Sequence, residues 1–414
     1  MTSIMDWPQS HIDRNPGASL GTERDQTAEL LGELAGCETD KAAVQLALGR
    51  ASDAVDAELC IYVDGNLTES ATSDPALVVP VFGRLRGHLV LTRAGRAFED
   101  GERDRIQTIA RALSLFKPGA GPEALIGRLA LQEELAQAVE EGQIQAHYLP
   151  KVDLRNARVT GVEALARWLH PDRGELAAGQ FVDLAEAGGL MPALTERIVK
   201  LSTLATGDWW RSGLRLQLSV NLPASALTEP DPALDELVSA ALVSRELPSD
   251  ALRLEITEDA IMAAPDAAQT LERLKSLGVT ISIDDFGTGR TSLGQLNDLP
   301  VDELKIDRSF TRTLTRGEGK GIVRSTIQLA RQMDLEVVAE GVQTEETWRQ
   351  LRGMGCDGAQ GFLIGKPMAA REVPAWLASW DTRGRQLNRI RRDQLEMSGP
   401  RGRKRSHARD EAPA

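Results

Sequence analysis

Glu163, Asn221, Glu255, the adjacent pair Asp284 and Asp285, Lys305, Glu340 and Gln360 form the set of polar residues best suited to chemistry in this chain. Carboxylates and an Asn amide are hard oxygen ligands. The five histidines (His11, His88, His147, His170 and His407) form no HExxH or other paired arrangement. Such a donor set prefers Mg²⁺ or Mn²⁺ to zinc. One carboxylate of an Asp-Asp pair can bridge two ions about 3.5–4 Å apart while its neighbour fixes the second, a layout suited to in-line phosphodiester cleavage. Lys305 adds a cationic head that can offset charge developing on phosphorus. Taken singly, any of these acids reads more plainly as a helix N-cap or a surface ion pair.

What sets them apart is where each falls. Residues 160–162 lead into Glu163, 214–220 into Asn221, 252–254 into Glu255, 279–283 into Asp284, 301–304 into Lys305, 335–339 into Glu340 and 358–359 into Gln360. Each run is short and β-rich, and a helical stretch follows it. The intervals are 58, 34, 29, 21, 35 and 20 residues, mostly one β/α unit each. Strands alternating with helices, with polar groups at the C-terminal strand ends, predict an α/β (β/α)₈ barrel of the TIM type with its site at that face.

A length of 414 residues leaves room for two or three domains. Residues 1–24 are polar, contain Pro8 and Pro16, and are expected to be a disordered leader. Residues 25–117 predict a small α+β domain: two helices, β runs at 59–63, 77–82 and 88–92, and a helix over 98–116 with Ile106, Ile109 and Leu113 facing inward. A Pro/Gly linker at 118–125 leads into a connecting helix, and the barrel spans 126–380. Residues 382–414 hold ten Lys and Arg against four acids and are expected to be a basic, disordered tail.

The net charge of −13 argues against a general nucleic-acid-binding surface. Cys37, Cys60 and Cys356 are too few and too scattered for a disulfide framework, and neither a signal peptide nor a membrane span is legible, so a cytoplasmic location is expected.

Two family resemblances follow. Element order and the stretch VPVFGRLRGHLVLTRAGRAFEDGERD make residues 25–117 similar to a GAF sensory domain of unreadable ligand. Glu163-Ala164-Leu165 followed by Arg167, then Asn221, LEITE at 254–258, DDFGTG at 284–289, LKID at 304–307, AEGV at 339–342 and QGF at 360–362 resemble the EAL family of cyclic di-GMP phosphodiesterases. That resemblance implies hydrolysis of cyclic di-GMP to linear pGpG with two Mg²⁺ or Mn²⁺ ions, regulation by the first domain, and a homodimer. It implies that Glu163, Asn221, Glu255 and Asp284 hold one ion, and that Asp285, Glu340 and the shared Asp284 hold the second. Lys305 would orient the attacking water and Glu340 assist its deprotonation. Arg167 and Leu165 would meet substrate, and Gln360 would position water or metal. Glu258 would support the loop carrying Gly287, Thr288 and Gly289.

Three positions depart from the family pattern: Leu149 where an amide is usual, Gln343 where an acid is usual, and Arg290-Thr291 where Tyr-Ser is typical. Leu149 and Gln343 motivate an alternative, a catalytically weak or inactive cyclic di-GMP receptor that signals through protein contacts, whereas Arg290-Thr291 would change the surface of the loop.

Overall fold

The computed structural model describes residues 20–55, 59–64, 76–81, 87–92, 98–228, 232–264, 267–288, 296–317 and 319–397. The first unit comprises α1 (Leu20–Leu34), α2 (Asp40–Ala54), β1 (Leu59–Asp64), β2 (Ala76–Val81), β3 (Gly87–Thr92) and α3 (Asp100–Leu115). Its three strands form an antiparallel sheet in the order β1-β3-β2. Period-two alternation buries Leu77, Val79 and Val81 on β2 and Leu89 and Leu91 on β3. Ala43, Ala47 and Ala51 recur every four residues along α2 and are fully buried, so small side chains let that helix lie close to its neighbours. Ile106, Ile109 and Leu113 point inward from α3 as the periodicity requires. The small α+β unit is present; its likeness to a GAF domain rests on element order and on the stretch over residues 79–104.

Helix α4 (Pro122–Glu140) opens with Pro122 in its first turn, where a missing N–H costs nothing, and buries Leu125, Leu129, Leu135 and Ala138. Helices α1 and α3 pack against it. The Arg111 Nε of α3 donates to Gln132 Oε1 at 3.0 Å, and Arg128 of α4 donates to the Leu115 carbonyl at 3.3 Å.

The second unit contains β4 (Ile144–Asp153), β5 (Val159–His170), β6 (Gly174–Ala177), β7 (Gln217–Asn221), β8 (Leu252–Thr257), β9 (Thr280–Phe286), β10 (Glu303–Ile306), β11 (Glu336–Ala339), β12 (Gly358–Gln360) and β13 (Met368–Ala369). Eight of them, β4, β5 and β7 to β12, close into a barrel through the pairings β4–β5 and β12–β4. From β5 to β12 the strands run parallel, with helices such as Met191–Arg211, Lys320–Gln332 and Glu345–Met354 between them.

The expected (β/α)₈ repeat is corrected at its start. Strand β4 is antiparallel to both β5 and β12, because only residues 154–158 join it to β5, a turn too short for a helical crossover. Strand β5 also runs well past Glu163 and forms a hairpin with β6 that extends one wall of the mouth. Glu163 therefore lies within a strand and not at its end.

The chain termini differ from expectation as well. Leu20–Arg24, placed in the leader, begin α1, and residues 1–19 lie outside the described residues. The last helix, Val373–Met397, continues into the stretch expected to be disordered; buried Trp380, whose Nε1 donates to the Ala157 carbonyl at 2.8 Å, ties it to the barrel. Among the described residues no helix is long and apolar enough to cross a membrane.

Candidate active site

Strand alternation puts every second residue into the barrel interior, and successive inward positions build layers. In the upper layer, toward the C-terminal strand ends, β5 contributes Glu163, β7 Asn221, β8 Glu255, β9 Asp284 and β10 Lys305. Glu340 follows β11 directly, and β12 ends in Gln360. Lys305 is fully buried, and its Nζ lies 2.6 Å from Glu255, 2.7 Å from Glu340, 3.0 Å from Asp284 and 3.5 Å from Glu163. Burial disfavours its charge, but these four carboxylates hold its pKa well above the ordinary lysine value.

One ammonium cannot neutralise the acids around it. Burial, reinforced by Glu163 and Asp284 and opposed by Lys305, pushes Glu255 up to about 7. Burial, with Asp284 and Glu163 beside it, pushes Glu340 up to about 8 against the pull of Lys305. Asp285 is raised to about 6 by burial and then by Asp284. Crowded acids that retain protons in this way are what a polyvalent cation would relieve. Two groups lie close enough to hold one: oxygens of Glu163, Glu255 and Asp284 fall within 4.8 Å of one another, as do those of Asp284, Asp285 and Glu340. Asp284 belongs to both.

Two amides organise this layer. Asn221 Nδ2 donates to Glu163 Oε1 at 2.8 Å, which leaves its Oδ1 as an oxygen ligand. Gln360 Nε2 donates to Glu163 Oε2 at 2.7 Å and to Glu340 Oε1 at 2.8 Å, while its buried Oε1 has no hydrogen-bond partner. An orphaned buried carbonyl beside two acid clusters fits a site built to receive a cation or an ordered water. The donor set, oxygen throughout, suits Mg²⁺ or Mn²⁺.

The loop after β9 is held by backbone geometry. Asp285 adopts φ 54°, a left-handed conformation uncommon outside glycine, and its N–H donates to Asp284 Oδ1 at 2.9 Å. Gly287 follows with φ 96°, and a Cβ there would meet the Phe310 ring at 3.1 Å. Its N–H donates to Glu258 Oε2 at 2.9 Å, and buried Glu258 also begins the helix Glu258–Ala263. Thr288 Oγ1 donates to the Asp285 carbonyl at 2.7 Å and is exposed. Gly289, Arg290 and Thr291 lie outside the described residues.

On β5, period two keeps Leu165 and Arg167 on the face that carries Glu163. Leu165 is half-buried; Arg167 is buried, with Nη1 donating to the Ala166 carbonyl at 2.8 Å and Nε 3.2 Å from Glu175. Leu149 stands directly opposite Glu163 across β4–β5, so an aliphatic group takes an inward position. Gln343 is exposed on the loop after β11.

Sequence reasoning missed a lower charged layer. Inside the barrel, toward the N-terminal strand ends, Glu303 accepts from Lys151 Nζ at 3.0 and 3.3 Å, from Ser282 Oγ at 3.0 Å and from Arg253 Nη1. Arg253 also reaches Glu336 at 3.2 Å and Thr280 at 3.1 Å. Burial would raise Glu303, but Lys151 and Arg253 hold it below the usual carboxylate range. The available signal was charge at alternate positions inside apolar strands: Arg253 two before Glu255, and Glu303 two before Lys305.

The family model described as EAL domain matches residues 132–367. Among curated proteins, the chain is 41% identical over 254 residues to the bifunctional diguanylate cyclase/cyclic di-GMP phosphodiesterase MucR of Pseudomonas aeruginosa, covering 61% of this chain and 37% of that one. It is 38% identical over 255 residues to the cyclic di-GMP phosphodiesterase NbdA of the same organism, covering 61% and 32%. The chain thus spans about a third of the length of these relatives. Among solved structures, the PaMucR phosphodiesterase in complex with c-di-GMP superposes with TM-score 0.57 at 40% identity, covering 59% of this chain and 99% of that one. The EAL enzyme Bd1971 in its cAMP- and cyclic-di-GMP-bound form superposes with TM-score 0.58 at 28% identity, covering 71% and 82%.

Proposed function

Because the chain belongs to the EAL domain family, we propose that it hydrolyses one phosphodiester of cyclic di-GMP to linear pGpG, in a site that holds two Mg²⁺ or Mn²⁺ ions. The observation that carries this reading is the acid excess of the upper layer: two overlapping carboxylate clusters that share Asp284, around a single buried ammonium. The relatives named as cyclic di-GMP phosphodiesterases, and the neighbour solved with c-di-GMP, supply the substrate.

Glu163, Asn221, Glu255 and Asp284 would hold one ion; Asp284, Asp285 and Glu340 would hold the other. When bound, the ions supply Lewis-acid polarisation of the phosphate and lower the pKa of the attacking water. The remaining work belongs to side chains. Lys305, fixed by four carboxylates, cannot swing, so its charge is pre-oriented toward the reacting phosphate and water. Glu340, hydrogen-bonded by Gln360 and beside Lys305, would assist deprotonation of the attacking water at its carboxylate. Gln360, bridging Glu163 and Glu340, keeps the two clusters at a fixed separation. Arg167 offers terminal N–H groups to a phosphate oxygen beside the half-buried Leu165. Gly287 and Thr288, with Glu258 as anchor, would hold the loop that aims Asp285.

Residues 25–117 would act as a GAF-like input domain, with α4 as the element through which they reach the barrel, and a homodimer is the expected assembly. Against the receptor alternative stand the complete acid set, Asn221 and Lys305; Leu149 and Gln343 alter the rim while leaving both clusters intact.

The test is incubation of purified protein with cyclic di-GMP and Mg²⁺ or Mn²⁺, followed by chromatography of the products, with Glu163→Ala as control. Production of pGpG that the substitution abolishes is the expected result. Tight binding without product in either metal would establish the receptor instead.

A further inference from the structure

The hairpin of β5 and β6 carries an ion pair that no metal cluster needs. In this antiparallel pair Leu169 stands opposite Glu175 and Arg167 opposite Ala177, so Glu175 and Arg167 are diagonal neighbours on one face, within reach of long side chains. Glu175 Oε1 lies 3.2 Å from Arg167 Nε and 3.6 Å from His147 Nδ1. Glu175 is itself about half exposed (47%), whereas the Arg167 side chain is only 10% exposed. An exposed pair of this kind adds little stability. Its geometry matters more than its energy.

A guanidinium has five N–H donors in a rigid plane. Glu175 takes the Nε edge and the Ala166 carbonyl takes one hydrogen of Nη1, at 2.8 Å. These two contacts restrain the rotation of the plane on opposite flanks, and the terminal Nη2 donors remain for a ligand. On the adjacent strand, His147 stands opposite Leu165 and Leu149 opposite Glu163, and an aliphatic Leu149 offers no amide to help hold a ligand.

We propose that Glu175 is a positioning residue: it locks the Arg167 fork in the orientation that receives a phosphate of a cyclic dinucleotide, and so supplies alignment where Leu149 supplies none. The proposal deepens the phosphodiesterase reading and rests on it for the identity of the ligand. A carboxylate placed to compete with phosphate would approach the terminal nitrogens first, whereas Glu175 comes closest at Nε.

Two readouts on the full chain test it. In the first, the Arg167 Nε–H resonance is followed in protein labelled with ¹⁵N-arginine, assigned with Arg167→Lys. It should be protected from exchange in the wild type, lost in Glu175→Ala and retained in Glu175→Gln, whose amide oxygen still accepts. An unchanged resonance in Glu175→Ala overturns the proposal whatever the substrate proves to be. In the second, steady-state kinetics with cyclic di-GMP should show KM rising roughly five- to thirtyfold in Glu175→Ala, kcat within about twofold, and most of the loss recovered in Glu175→Gln. A fall in KM would mark Glu175 as a competitor and overturn the proposal, as would equal KM values. Absence of turnover in the wild type would instead count against the phosphodiesterase reading, and the resonance would still decide the role of Glu175.

Discussion

Two charged layers are stacked inside one barrel, two residues apart along the same strands, and they are balanced in opposite ways. In the lower layer a fully buried Glu303 is shared by Lys151 and Arg253, Glu336 gives Arg253 a second carboxylate, Ser282 adds a hydrogen bond, and the pKa of Glu303 is held down. In the upper layer four acids surround Lys305, a fifth, Asp285, stands beside Asp284, and Glu255, Asp285 and Glu340 are all pushed up. A buried ion pair that satisfies its own charges is architecture; a buried cluster left with surplus negative charge requires something from outside. Similar residues in the same strands thus build a structural plug below and, above, the acid cluster proposed to hold cations.

Removing one acid from each layer should separate these roles. Asp284→Asn takes away the carboxylate shared by both clusters, and turnover is expected to fall by on the order of 10⁴, about 5 kcal/mol of transition-state stabilisation. Its melting temperature without divalent ions should hold or rise, since a repulsive charge is gone; a steep fall in melting temperature would show that Asp284 is structural. Glu303→Gln does the reverse. It leaves Lys151 buried without its counter-charge and Arg253 with only the exposed Glu336, and a loss of about 3–5 kcal/mol in denaturant unfolding is expected. Denaturation unchanged from wild type would mean that the lower layer is not the plug described here.

The contrast also sets a pH dependence. Glu255 and Glu340 are raised from the ordinary carboxylate value to about 7 and about 8, so near neutral pH the ion-free site carries protons that a cation must displace. Affinity for Mn²⁺ should therefore weaken by up to roughly tenfold per unit for each displaced proton as pH falls below about 8 and then about 7, as read by titration calorimetry. Stability moves the other way. The folded ion-free state binds these protons more tightly than the unfolded chain, so its advantage is full below about 4.5 and is lost as pH rises through 7 and 8. Added Mg²⁺ should remove that loss.

The smallest expected effect lies furthest from the mouth. Arg111→Ala breaks the contact from α3 to Gln132 of α4, and Gln132 Nε2 in turn reaches the Leu184 carbonyl behind the β5–β6 hairpin. If the first unit regulates the barrel through α4, the rate should change by roughly two- to fivefold with turnover retained. Identical rates in the two proteins would remove α4 from the regulatory account.

Most of the upper layer was legible in the sequence because each of its members follows an apolar run that only a buried strand explains, and the runs repeat at β/α intervals. The direction of β4 was not legible. Residues 144–153 read the same whether their neighbours run parallel or antiparallel, and only the five-residue turn before β5 decides it. Glu163 was placed at a strand end because nothing local marks the continuation of β5 to His170, which depends on pairing with β6. Glu303 drew no notice in the sequence, since its partners Lys151 and Arg253 are 152 and 50 residues away. The helix beyond residue 381 was hidden by its basic composition, which signals solvation and says nothing of the Trp380 anchor. Local pattern therefore revealed the strands and their inward residues, and long-range pairing settled which charges are balanced.

The most direct test of that balance is a count of bound ions. Equilibrium titration of the ion-free wild-type protein with Mn²⁺ at pH 8, with free ion followed by electron paramagnetic resonance, should give two Mn²⁺ per chain, displaced by excess Mg²⁺. Asp284→Asn should abolish that stoichiometry, while Glu175→Ala should leave it intact. A wild-type chain that binds no Mn²⁺, or an Asp284→Asn variant that still binds two, would contradict the reading of the upper layer as a cation site.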